Sequence, residues 1–411
     1  MKKRKWYSVS KTFIVVLVAI TIFFTLPSVC TYLWWKAPKI FSKFLRGPRI
    51  VGTETYHDAD FGVILCLSGV IPSSKVLFYK EEKGSVKRIA SILNAPSEIG
   101  RATSVGDALY FPEFEIPFGS ADYNYYITIL KENRVYRKMT NEPTGEFIVA
   151  ASHRIFINMN GKILVFDSRF NKLKTIEDPT GRSFFHIYKY NGKVYALETS
   201  LLDTFLAEID PDRMTIEKIV KFNFPIATDG NHQTIVRYNG KVYASGYDKP
   251  LKIGKKGIYV HKVIYELTDT IKPIYVYPRK VKMCNSITQC DKKTLYSEDP
   301  YVSFGFESFI PVDPENKEFV LLGSNSTLAK NFRYFLFDTL KNKFIEFPNN
   351  LLRSGNDDLA FDVGIYTNGK LYIATKKYLV EYSDGSFKVV DTFDKNCSDT
   401  LIFPLGENGG F

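Results

Sequence analysis

The heptapeptide Tyr-Asn-Gly-Lys-Val-Tyr-Ala occurs twice, at Tyr190–Ala196 and Tyr238–Ala244, and looser copies recur along the chain. In each copy an Asn-Gly pair stands between two alternating apolar segments. Asn-Gly favours the type I′ turn, whose central residues both need positive φ, so each copy predicts a tight β-hairpin. Aligning Ile187 with Ile235 gives a period of 48 residues. A unit of that length holds about four strands, and such units bury their apolar faces by stacking on their neighbours.

Seven units can be traced. The first runs from Ile50 to about Ile92 and ends in the hairpin of Lys75–Tyr79 with Val86–Ile89; the second holds Ala108–Phe111, Tyr125–Leu130 and Arg134–Tyr136. The third contains Arg154–Ile157, the Asn160-Gly161 turn, Ile163–Asp167 and Leu173–Ile176, and the fourth and fifth carry the near-identical copies. An irregular sixth covers roughly residues 300–348 around Tyr334–Asp338, and a compact seventh spans Val363 to Val390. The piece Thr400–Leu405 is expected to pair with the first unit and close the ring, removing the edges an open sheet would expose. Asp167, Asp210 and Asp338 each end a strand just before a turn, where a short carboxylate caps the backbone, so they read as structural.

Over residues 50–405 this pattern resembles β-propeller repeat proteins in general, with seven blades and no match to a named family. The Gly-His and Trp-Asp marks of WD40 blades are absent, as is a double glycine of the kelch type in each blade. Ser383-Asp384-Gly385-Ser386-Phe387 departs from the sialidase box at too many positions to carry an activity over. The expected fold class is therefore all-β, a seven-bladed β-propeller over residues 50–411 preceded by one N-terminal transmembrane helix.

That helix is read from Thr12–Trp35, 24 residues without a charge, behind a basic tail over residues 1–11. At 1.5 Å per residue the stretch is long enough to cross a hydrocarbon core of about 30 Å. A cleaved signal peptide is the rival reading, but no small-x-small cleavage site follows the apolar run, and Trp34-Trp35 suits an interfacial anchor. Residues 36–49, with Pro38, Pro48 and spaced lysines and arginines, read as a basic stalk near the headgroups. A short tail with five positive charges resists translocation, which places the tail in the cytoplasm and the large domain on the non-cytoplasmic side of a single-pass membrane protein.

The formal net charge of +11 is unevenly placed. Residues 1–52 hold ten basic and no acidic side chains, and residues 249–293 hold eleven basic against three acidic, which leaves the remainder at −7. The basic balance thus gives no ground for a nucleic-acid partner of the whole domain. Within residues 249–293, Lys252, Lys255, Lys256, Lys262, Arg279, Lys280 and Lys282 point to docking of an anionic protein, glycan or lipid headgroup. Cys284 and Cys290, in a polar connector of the same segment, have the spacing of a small disulfide loop if the domain faces an oxidising space.

No Walker-type loop, Gly-x-Ser-x-Gly elbow or His-Glu-x-x-His motif occurs, and nothing in the chain calls for a metal or cofactor. His57, Asp58 and Asp60 ahead of the first unit, and His153 in the third, are polar residues near unit openings. An enzyme reading, a hydrolase or lyase on a glycan or peptide at the central channel mouth, would rest on His186, His232 and Asp362. The other reading is a membrane-anchored binding module for a protein or glycan. The two part on whether those groups converge.

Overall fold

The structure, a computed structural model, describes residues 49–52, 55–67, 73–95, 98–99, 103–105, 108–115, 124–132, 134–140, 148–159, 161–226, 235–253, 257–283, 296–325, 330–351, 363–393 and 397–405. The chain divides into two compact units, residues 48–115 with 124–411 and residues 1–47 with 116–123; the latter unit lies outside the described residues.

The larger unit is a seven-bladed β-propeller of small antiparallel sheets in a ring. Blade four sets the pattern: His186–Tyr190 lies innermost, then Lys193–Thr199, Thr204–Asp210 and Thr215–Phe222 outward, each paired with the next. The second strand is buried on both faces because each lies between two blades, which is why Val194 to Glu198 run without a break in burial. The outer strand alternates between exposed and half-buried positions, with Thr215, Glu217, Lys218 and Lys221 in solvent. Among the described residues the core divides into eight apolar clusters, seven of which fall one to each pair of neighbouring blades. Stacked blades of this kind each depend on both neighbours.

The hairpins predicted from Asn-Gly form as expected. Asn191 and Gly192 have φ of 45° and 76°, and Asn239 and Gly240 have 49° and 72°, the left-handed pair a type I′ turn requires. The three aspartates cap turns between third and fourth strands: Oδ1 of Asp210 accepts from the amides of Asp212 and Arg213, and Asp167 and Asp338 do the same in blades three and six.

Closure of the ring follows the expected route with one difference in strand order. Cys397–Pro404 pairs antiparallel with Phe61–Leu67 and becomes the innermost strand of blade one. The segment from Ile50, read as that blade's first strand, is instead Arg49–Gly52, a fifth strand on the outer edge against Ser85–Ala95. Phe403 covers Gly62, and its ring stands edge-on to Phe78 at 6.5 Å and to Phe111 at 6.2 Å.

The seam between the last blade and the first is also stitched by charge. Arg88 forks onto Asp391, with Nη2 2.8 Å from Oδ1 and Nε 3.0 Å from Oδ2, while the hydroxyl of buried Tyr79 donates to the same carboxylate at 2.8 Å. Nearby, the Lys370 ammonium lies 3.2 Å from Glu81 of blade one and 3.4 Å from Glu381 of its own blade.

Candidate functional site

The basic segment after blade five's second strand does not form a long loop throughout. Ile258–Leu267 and Ile271–Met283 run beyond the blade as a two-stranded ribbon, in which Tyr259 faces Lys282 and His261 faces Lys280. Alternation separates its two faces. Val260 and Ile258, with Met283, pack on Tyr247 and Leu251, whereas Tyr259, Lys280 and Lys282 occupy the other face. Tyr259 keeps half its surface in solvent, and the Lys282 ammonium stands 5.7 Å from its ring centroid. Arg279 lies over Tyr301 at 4.9 Å, beside exposed Val302. No carboxylate among the described residues lies within ion-pair distance of Lys252, Arg279 or Lys280, so this positive charge is not neutralised locally.

The seven basic residues singled out from sequence therefore divide. Arg279, Lys280 and Lys282 sit together on the ribbon, and Lys252 is exposed in the loop that precedes it. Lys262 turns inward: its ammonium donates to the Phe306 carbonyl and stands 4.7 Å from that ring, which ties blade five to blade six. Lys255, Lys256, Cys284 and Cys290 lie outside the described residues, as do His232 and Asp362.

The described histidines do not converge. His186 is buried at the start of blade four's inner strand, opposite Leu197 and 6.5 Å from Tyr188 ring to ring. His153 occupies the exposed turn after Ile148–Ala151 in blade three, with φ of 59°. His57 is exposed in the short turn Tyr56–Asp58, and His261 contacts the Tyr277 carbonyl through Nδ1 at 3.0 Å on the ribbon. Asp58 accepts from Thr55, and Asp60 from the Glu81 amide at 2.6 Å, so both serve local turns. No group of three metal-ligating side chains occurs among the described residues.

Three buried carboxylates recur beside a cation and a ring. In blade two, Glu113 accepts from Thr128 at 2.5 Å and from Arg137 at 2.7 Å, with Arg137 stacked on Tyr126. In blade seven, Glu381 shares Lys370 and the Tyr372 hydroxyl with Glu81. At blade four, Arg182 lies over Phe205 at 3.7 Å, donates to Asp178 at 2.8 Å and approaches Glu198 to 2.7 Å. Burial pushes Glu198 up to about 7 against the pull of Arg182, and the neighbouring Asp178 carboxylate adds to the rise. Burial alone would raise Asp178 as well, but hydrogen bonds from Arg182 and Thr180 outweigh it and hold that group down at about 2. Two carboxyl groups driven apart in this way resemble an acid–base pair, yet both are buried and tie the connector of residues 177–185 to blade four.

Sequence reasoning missed Arg237. It sits on the inner strand Ile235–Tyr238 of blade five, half-buried, with its Nε shielded from solvent and lacking a hydrogen-bond partner. The trace it left in sequence is local: a basic residue precedes Tyr-Asn-Gly in both copies of the repeat, Lys189 in one and Arg237 in the other.

No protein-family profile matches this chain, and no curated protein sequence matches it either. Solved structures resembling it include the dihydro-heme d1 dehydrogenase NirN, at 14% identity and a TM-score of 0.46 over 86% of this chain and 76% of that one. Others are a candidate 6-phosphogluconolactonase from Bacteroides fragilis, at 14% identity and a TM-score of 0.45 over 85% and 99%, and the β-propeller domain of the Trilobed protease from Pyrococcus furiosus, at 11% and 0.36 over 71% and 82%. The fold assigned here rests on the seven sheets themselves, and the chemistry of those proteins is not carried over. Among the described residues no helix is long and apolar enough to cross a membrane, and Thr12–Trp35 lies outside them.

Proposed function

We propose that this chain is a membrane-tethered recognition module that holds an acidic glycan through the ribbon of blade five, on the non-cytoplasmic side. The observation that carries the reading is the ribbon's outward face, where Lys280 and Lys282 alternate with a half-exposed tyrosine and no carboxylate answers Lys280. A cationic strip of this kind attracts a polyanion and speeds its capture. Exposed tyrosine rings beside the cations suit the flat apolar faces of sugars, which favours a glycan over an acidic protein face. The tether is supported by the uncharged stretch Thr12–Trp35 behind five basic residues.

The ribbon is tested with the double charge reversal Lys280→Glu with Lys282→Glu, measured as retention of the full-length protein on immobilised polygalacturonate. Retention at low ionic strength should be lost in the variant and screened in the wild type by added salt. Equal retention of both proteins would refute the reading, and selective loss of binding to an acidic peptide column instead would transfer it to a protein partner. The tether is tested separately. All three tryptophans of the chain, Trp6, Trp34 and Trp35, precede the propeller, so quenching of tryptophan emission by brominated lipid reports on the N-terminal segment alone. Absence of quenching in reconstituted vesicles would remove the membrane from the proposal.

A further inference from the structure

We propose that the ring carries an oxyanion site beside its axis, centred on Arg237 and independent of the ribbon. The register pairs Arg237 with Val242 and, two residues earlier, Ile235 with Ala244. Those three partners belong to the cluster packed between blades four and five, so the guanidinium rises from the same face of the innermost strand. Its Nε is shielded from water and unpartnered, and no carboxylate among the described residues reaches it. A half-buried cation whose Nε has nothing opposite it is costly, and proteins ordinarily pair such groups.

This chain follows that rule elsewhere. Arg137 is answered by Glu113, Arg182 by Asp178 and Arg333 by Glu346. Burial is the one influence acting on the ionisation of Arg237 and draws it down to about 10, which leaves it charged at neutral pH. The neighbouring inner strand repeats the feature: Lys189 pairs with Val194 as Arg237 pairs with Val242, and Lys189 is exposed. Adjacent inner strands thus carry a cation at the same register position next to the Asn-Gly hairpins, but Lys189 shares the face of Ile187, which packs toward blade three, so Arg237 alone lies on the face between blades four and five. A guanidinium fork is matched by a carboxylate or a phosphate group, free or carried on a larger molecule.

The site shares no residue with the blade-five ribbon, so either proposal can fail alone. Its test is thermal unfolding of the full-length protein, followed by far-ultraviolet circular dichroism, in phosphate, acetate and chloride at matched pH and ionic strength. The wild type should unfold at a higher temperature in phosphate or acetate than in chloride. The larger of the two shifts identifies the group, phosphate or carboxylate. In Arg237→Met, which keeps a long apolar side chain, that shift should disappear, and unfolding in chloride should come no earlier than in the wild type. An anion shift that survives in Arg237→Met, or none in the wild type, overturns the proposal. Earlier unfolding of the folded variant in chloride also overturns it, since it would reveal a counter-charge supplied by the chain. If Arg237→Met does not fold, calorimetric titration of inorganic phosphate and of acetate into the wild type decides, with saturable binding of either supporting the site and its absence refuting it.

Discussion

Gly62 and Phe403 lock the ring, and a double-mutant cycle on this pair measures the lock. Gly62 lies on the strand Phe61–Leu67 directly opposite Phe403 of the closing strand, and a methyl group on Gly62 would overlap the phenyl ring. Gly62→Ala therefore overpacks the site, at a cost of about 1–3 kcal/mol. Phe403 is 3% exposed and touches Phe78 and Phe111 edge-on, so Phe403→Ala empties a buried site and costs about 3–5 kcal/mol. In the double variant the new methyl occupies space the ring has vacated. The pair should then cost about as much as Phe403→Ala alone, a coupling of about 1–3 kcal/mol in favour of the double variant. Urea unfolding followed by far-ultraviolet circular dichroism supplies the four free energies, since tryptophan emission is blind to the propeller. Additivity within about 0.5 kcal/mol would mean that Gly62 is not required by the ring of Phe403, and the closure argument would fall.

The seam offers a comparison of partners: Asp391→Ala strands both the buried Tyr79 hydroxyl and Arg88, at a cost of about 1–3 kcal/mol by urea unfolding, whereas Arg88→Ala leaves the Tyr79 bond intact and should cost less than half as much. At Gly240 a methyl group would meet open space, so Gly240→Ala reports backbone strain alone at φ of 72°, about 1–2 kcal/mol, and a neutral result would contradict the type I′ assignment. Glu198 is raised in the folded state, so its contribution is fully present below its ordinary value near 4.5 and is lost as pH rises through about 7. Stability should therefore decline across that window, and Glu198→Gln should flatten the decline; an unchanged pH profile would show that Glu198 titrates normally. Asp178 acts in the opposite sense, losing its contribution as pH falls from near 3.8 towards 2.

Features encoded within a few residues were legible in the sequence. The hairpins at Asn191-Gly192 and Asn239-Gly240 were readable because turn chemistry and strand alternation are both local, and the capping aspartates for the same reason. Ile50 was assigned to a strand correctly but placed at the wrong edge of its sheet, since strand order depends on a pairing with residues more than 300 positions away. The ribbon was seen as charge rather than as shape. Its alternation of Tyr259, His261, Lys280 and Lys282 across two strands becomes apparent only once the register, with its bulge between His261 and Val263, is known. Arg237 was missed because what distinguishes it is the lack of an opposing charge, a property of surroundings rather than of spelling.

The closing strand has a consequence for synthesis. Cys397–Pro404 follows every other strand of the propeller along the chain, so the innermost place in blade one stays vacant until the rest of the ring has been made. Throughout that interval the strand Phe61–Leu67 presents an open edge with Phe61, Val63 and Leu65 on one side, the kind of template on which neighbouring nascent chains pair. Six blades can assemble as they emerge, but the ring is sealed only once residues 397–404 have been made, and a ribosome that stops before residue 397 releases a propeller that cannot close.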